Sequence, residues 1–428
     1  MTLMDFIAVV AIYVEIAVLA IIDMKLWRTI YTPLNLLMLP YALMLMVALI
    51  SCGNWGIVDF YYPSLQVWMI GLPIFALPGF IFGIAFRNKL QLEGGGRIED
   101  DGINMHRLNI ITTIIVAAFI LRFIMMVRTS PYLPGSEDFG YDYCGGGLWG
   151  HLHRLLHALS IIYIYKYDKK HWYYLLLIGG MYFVTLMYGV KSWVLIPAMG
   201  GICMRLFAGK IKLKMSLFLK VAAFAFVVFF VTYTFSLFLG QEETATFDVI
   251  FEIICKNFVH YVISGIVGWS QDLQMGILES PRFEVLLTNI LNLYNVVAGN
   301  EYVDPVNPFF IHNGVRGSNV RAFFGTIYIN ASMIQFVLVV LAVSAVHYLV
   351  KLWAVATRSI YVNVLYFFYG GMLLMGWFEI YFYHLQFFEQ PFMIFVIYIM
   401  MKIGFKKKNS ETLSVENCEQ NGSGNTQP

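Results

Sequence analysis

The chain has 428 residues, of which 59% are hydrophobic and 13% charged, with a mean hydropathy of +0.70. An apolar share this far above that of a soluble domain excludes an ordinary water-soluble enzyme, and a net charge of +2 gives no basic surface for nucleic acid. The sequence is that of an integral membrane protein, all-α in class.

Each crossing of a hydrocarbon core about 30 Å thick needs roughly 20 apolar residues, and backbone groups without water must pair within a helix. Eleven stretches qualify on the sequence: 4–22, 33–51, 64–86, 108–127, 148–165, 172–190, 193–208, 215–239, 320–346, 359–378 and 385–402. The first carries Asp5 and Glu15 and has no basic n-region, so it reads as a span and not as a cleaved signal peptide. The pair around Lys191 reads as two spans or as one broken helix. Spans one to eight make an N-terminal block, 1–239; the last three make a second, 320–405, followed by a polar tail, 406–428, whose composition suits disorder.

Between the blocks lies a long connection, 240–319. Its residues 247–268 repeat apolar positions every three or four, with Glu252, Lys256 and Asn257 between, which predicts an amphipathic helix on the membrane surface or on the bundle. A second helical stretch, 283–298, ends in "GNEYVDPVNP", a run of turn-forming residues. Ordered loops of this length usually carry function.

Lys and Arg sort by loop. Lys25 and Arg28, Arg87 to Arg107, Lys166 to Lys170, Arg205 to Lys214, Lys351 and Arg358, and Lys402 to Lys408 share one side, whereas 52–63 has none and 128–147 only Arg128. Short basic loops stay in the cytoplasm, so the N-terminus is expected outside and the C-terminus inside. Of five cysteines, Cys52, Cys144 and Cys255 then face outwards, but no spacing marks a metal or redox motif; unpaired thiols are expected, with a Cys52–Cys144 disulfide as the alternative.

Charge inside a span is costly and therefore functional by default. Three clusters gather at the outer face. "HNGVRGSNVRAFFGTIY" brings His312, Arg316, Asn319, Arg321 and Tyr328 to the start of an apolar run. "HLHRLLHALS" places His151 and Arg154 on one helical face, with Arg154 on the order of 9 Å inside its span at 1.5 Å per residue. Arg122 and Arg128 close the fourth span and read as interface anchors or as ligands. His153 and His157 have the spacing of a metal pair without a third ligand, so they read as packing or interhelical bonds, and no metal or other cofactor is expected. Glu379, His384 and Glu389 sit at the last outer turn, either as a solvated loop or as part of the site. Arginine's planar fork suits phosphate or carboxylate oxygens, and a histidine or carboxylate nearby suits proton removal.

The run "GSNVRAFFGTIY", Gly317 to Tyr328, at the junction of a long external loop and an apolar helix, resembles the segment found in bacterial O-antigen polymerases of the Wzy type. Gly317, Asn319, Val320, Phe324 and Tyr328 match; Ala322 stands where threonine is common, and Asn330-Ala331-Ser332 where Asp-Phe-Gly is usual. The resemblance implies a GT-C-like helical bundle with a large periplasmic loop in the bacterial inner membrane. It further implies an enzyme that joins oligosaccharide repeat units carried on undecaprenyl pyrophosphate into O-antigen, capsule or exopolysaccharide. A chain-length regulator and a flippase are the partners it implies, with membrane lipid around them and no nucleic acid. On that reading His312, Arg316, Arg321 and Arg154 carry catalysis, while Asn319, His151, Arg122, Arg128, Tyr328, Glu379 and His384 hold substrate. An O-antigen ligase and a flippase for the lipid-linked unit are the rival expectations.

Overall fold

The computed structural model describes residues 2–54, 56–92, 98–99, 102–134, 136–239, 247–276, 282–301, 303, 310–312, 314–315 and 317–403. Helices dominate: α1 Leu3–Trp27, α2 Pro33–Ser51, α3 Leu65–Ala85, α4 Arg87–Leu92, α5 Met105–Thr129, α6 Glu137–Gly140, α7 Gly147–Lys166, α8 Tyr174–Met187 and α9 Ser192–Phe207 form the first part. They are followed by α10 Met215–Leu239, α11 Phe247–Met275, α12 Phe283–Leu286, α13 Thr288–Ala298, α14 Phe323–Asn330, α15 Met333–Thr357, α16 Ile360–Leu374 and α17 Leu385–Lys402. Among the described residues the one sheet is a two-residue antiparallel ladder of β1 Ile311–His312 and β2 Gly317–Ser318. The all-α class therefore holds.

Among the described residues six helices are long and apolar enough to cross a membrane: Leu3–Trp27, Pro33–Ser51, Tyr62–Ala85, Met105–Thr129, Phe251–Met275 and Met333–Thr357. The expected eleven spans are not matched: five of the expected stretches are among these six, and the sixth, α11, lies in the connection 240–319. Helices α8, α9 and α16 are apolar but shorter than 18 residues. α7 carries His151, His153, Arg154 and His157, which lower its hydropathy. And the stretch 320–346 is broken at Ala331-Ser332, where the Ser332 hydroxyl accepts from the Gln335 N–H and Gln335 caps Ser332 in return, a box that starts a new helix.

Glycines set the closest crossings. A Cβ on Gly200 would lie 2.4 Å from the Phe367 carbonyl oxygen and one on Gly371 2.2 Å from that of Ile196, so α9 and α16 meet backbone to backbone, antiparallel. Ridges of aromatic and aliphatic side chains fill the rest, as in the stacked Tyr41–Trp68 pair between α2 and α3. Toward the opposite end, buried Asp23 of α1 accepts from Thr32, Asn35 and Tyr348 and so ties α1, α2 and α15 together.

Along α11, Phe258 meets Phe226 and Phe229 of α10, Tyr261 meets Phe378, the Ser264 carbonyl accepts from Ser318, Trp269, Ser270 and Gln271 bond Ser64, Tyr61 and Asp59, and Asp272 pairs with Arg321. α11 also packs along α2. It is long and apolar enough to cross a membrane, where the sequence predicts an amphipathic helix on the membrane surface or on the bundle.

Candidate functional site

The segment 375–384 joins α16 to α17 and separates two charged clusters. On its first side the chain from Ser318 to Phe323 passes beneath α11. Gly268 leaves room for it, since a Cβ there would sit 2.7 Å from the Val320 carbonyl oxygen and 3.2 Å from Arg321 Nη1. The Ala322 N–H donates to the Phe378 carbonyl at 3.0 Å and the Phe323 N–H to that of Gly376 at 2.7 Å, so two irregular segments satisfy each other where no helix can. Phe324 packs on Gly71, about 9 Å along α3 from Leu65, and α14 climbs back from there.

Arg321 is the centre of this cluster. Its guanidinium is 1% exposed; Nε pairs with Asp272 of α11, and Nη1 donates to the Ser318 and Val320 carbonyls at 2.9 and 3.0 Å. Its backbone N–H reaches Glu379 Oε2 at 3.4 Å, while Glu379 Oε1 accepts from the Thr326 hydroxyl and from the Ile380 N–H at 2.7 Å. Ala322, next in sequence, is held at φ 57° and ψ 171°, a conformation that an L side chain rarely adopts. Arg321 is thus engaged by a carboxylate and two carbonyls, which makes it a strut that fixes the re-entrant turn. Burial and pairing replace the expected open anion-binding fork.

The second cluster stands at the start of α7 and α17. Glu389 Oε1 meets His151 Nδ1, and Glu389 Oε2 lies 2.8 Å from Arg154 Nε. The Gln390 amide nitrogen donates to the Arg154 carbonyl at 3.0 Å, fixing one helix on the other. Exposure grades inward: the side chain of His151 is 56% exposed, that of Arg154 15% and that of Glu389 8%. The charges therefore begin at the mouth and continue below it, with His384 close by against the rings of Trp193, Tyr381 and Tyr383.

The other expected residues are dispersed. His312 pairs in register with Gly317 and is exposed, its Nδ1 accepting from the Gly314 N–H, and no described contact brings it to Arg321 or Arg154. Arg316 lies outside the described residues. Arg122 donates to the Tyr143 and Asp142 carbonyls and covers the Trp149 ring, so it clamps the π-helical turn 141–145 to α5. Arg128 is exposed in the last turn of α5. Tyr328 packs edge-on against Trp269 and Phe336, and Asn319 is half-buried beside Ser318. His153 bonds Thr185 at 3.3 Å and its ring meets that of His157, an interhelical packing role. Cys52 and Cys144 are free thiols.

Asp272 was not singled out by the sequence, because a lone carboxylate at the end of a long amphipathic helix looks solvated. Glu389 was legible as an outer-turn acid but not as the joint partner of His151 and Arg154. The only available signal was its place five residues after His384.

Several helices long and apolar enough to cross a bilayer, packed on one another, define a multi-pass, all-α membrane protein. The chain matches the DUF6337 family, described as a family of unknown function, over residues 56–407, and it belongs to that family. No curated protein and no solved structure matches it.

Proposed function

We propose that this protein is a membrane glycosyltransferase that polymerises repeat units linked to undecaprenyl pyrophosphate at the outer face of a bacterial inner membrane. The observation that carries the reading is the graded cluster His151, Arg154 and Glu389, a cation and a carboxylate side by side just below the mouth of the bundle. The resemblance of Gly317 to Tyr328 to O-antigen polymerases supports it. Eleven passes, with the N-terminus periplasmic and the C-terminus cytoplasmic, belong to this proposal, the shorter helices being read as tilted or partial spans.

The chemistry follows from what the substrate brings. The acceptor's hydroxyl oxygen attacks the anomeric carbon of the donor, the bond from that carbon to the pyrophosphate oxygen breaks, and the lipid pyrophosphate leaves with the electron pair. Arg154 is placed to offset the negative charge that grows on the leaving group, and Glu389, oriented by His151, to take the hydroxyl proton. Arg316 is the candidate for a second phosphate contact. Arg321 and Glu379 keep the floor of the site in shape. A chain-length regulator and a flippase remain the proposed partners.

The test is complementation of a deletion strain, read as surface glycan on a gel. The wild-type gene should restore a polymer ladder; Arg154→Ala and Glu389→Gln should each leave a single repeat unit on the final acceptor, with protein levels unchanged. Full ladders from both variants would overturn the site assignment. Polymer retained on the lipid carrier after deletion would point to a ligase, and single units trapped on the cytoplasmic side to a flippase.

A further inference from the structure

The helix α13 carries its polarity the wrong way round for a segment in water. Its sequence, TNILNLYNVVA, contains no charged residue. Asn289, Asn292 and Asn295 recur on one face, and all three amides are committed to the chain. Asn289 Nδ2 donates to the Phe382 carbonyl at 2.7 Å, Asn292 exchanges two bonds with the Val303 backbone at 2.8 and 2.9 Å, and Asn295 Nδ2 donates to the Glu301 carbonyl at 3.0 Å. The opposite face holds Ile290, Leu293, Tyr294 and Val297, spaced i, i+3, i+4 and i+7, and these four residues are 55% to 84% exposed. On a water-facing loop the asparagines would point out and the aliphatic side chains in, because apolar surface left in water forgoes the main favourable term in folding.

The position of α13 indicates what covers this face. It packs on α17, and its bond to Phe382 holds it to the segment that leads into that helix. α17 displays a stripe of its own, Leu385, Phe388, Phe392 and Phe395, at i, i+3, i+7 and i+10, all exposed. In a chain whose long apolar helices cross a bilayer, such an outward stripe on a bundle helix meets acyl chains. The stripe starts at the first residue of α17, at the end to which α13 is bonded, so the apolar face of α13 continues the lipid-facing surface at its margin. Tyr294 suits that depth, since its ring is apolar and its hydroxyl can reach water. A surface for a soluble partner carries a polar rim, whereas the polar side chains of α13 are turned to the protein.

We infer that α13 is an in-plane membrane helix, lying in the interface layer beside the start of α17 with Ile290, Leu293, Tyr294 and Val297 at the acyl boundary. The occupant of the face is phospholipid, met through its acyl chains and not through headgroup charge, because the helix has no cation to recognise an anion. By holding Phe382, α13 ties the segment 375–384 to the membrane surface, next to the helix that carries Glu389. The inference takes α17 as a span, as the proposed eleven passes do, and makes no use of the polymerase chemistry.

The experiment uses full-length protein in lipid nanodiscs, with the photoreactive residue p-benzoylphenylalanine introduced at Leu293 and, in a second variant, at Val297. Asp168, exposed between α7 and α8, is the aqueous reference position. After irradiation, intact-protein mass spectrometry reads the adducts. Both outward positions should gain the mass of one phospholipid about tenfold more often than position 168, and equally in phosphatidylcholine and phosphatidylglycerol. The probe is apolar and replaces an exposed side chain, so either variant suffices if the other does not accumulate. Lipid adducts no more frequent than at position 168, or adducts only to a second copy of the chain, would put the face in water or in a dimer contact and overturn the inference. Adducts confined to phosphatidylglycerol would overturn it in favour of headgroup recognition. The glycan ladder of the deletion strain bears on the polymerase chemistry alone, so the two readings can fail separately.

Discussion

Arg321 shows how one residue changes meaning once its surroundings are known. In the sequence it stands beside Arg316 and His312 and reads as half of an anion clamp; in the fold it is enclosed by Asp272, two carbonyls and the turn that carries Glu379. Removing one partner of a buried ion pair leaves the other charge uncompensated, at a cost of about 3–5 kcal/mol. Arg321→Ala should therefore reduce the amount of folded protein in the membrane, not merely its activity, and Asp272→Leu combined with Arg321→Leu should recover much of the loss. Normal levels of monodisperse Arg321→Ala protein by size-exclusion chromatography would show that the pair is not structural. The neighbouring Ala322 offers the opposite sign. Its φ of 57° with ψ near 171° suits only glycine, so Ala322→Gly should relieve strain of about 1 kcal/mol and raise the melting temperature in detergent. A lower melting temperature would contradict the strained conformation.

Among elements, α9 and α16 depend on missing side chains. At Gly200 and Gly371 a methyl group would press on backbone carbonyls, which cannot rotate away, whereas at Gly179 of α8 nothing lies within 4 Å. Gly200→Ala and Gly371→Ala should each destabilise the protein by about 1–3 kcal/mol, while Gly179→Ala should be neutral, as read by thermal unfolding in detergent. Equal melting for all three would mean that the crossing is looser than its geometry implies. The same crossing explains why these helices were hard to delimit in sequence. Apolar runs predict that a helix exists, but the end of α16 at Leu374 is set by the segment 375–384, whose Gly376 and Phe378 carbonyls bond to Phe323 and Ala322. No local signal in "LLMGWFEIYF" announces partners more than fifty positions away.

For the whole molecule, the distribution of Lys and Arg is the guide to orientation. In intact cells, Ser130→Cys, at the end of α5, should react with a membrane-impermeant maleimide above the background of the native thiols; Lys169→Cys, between α7 and α8, should react only after lysis. The reverse pattern would invert the molecule and move both charged clusters to the cytoplasmic side, which would remove the polymerase reading altogether.

Composition and periodicity alone determined that this chain is helical and membrane-embedded, since 59% apolar residues in runs near the length of a bilayer admit no other solution. Residue type alone also marked Arg154, Arg321, His151 and Glu379 as out of place in lipid. What only the tertiary structure decided was pairing: Arg321 goes to Asp272 on α11, and Arg154 to Glu389 on α17. The reason is physical. The cost of a buried charge is a property of the residue and is written locally, but the partner that offsets it comes from whichever helix packing brings within about 3 Å, and that is a property of the whole bundle.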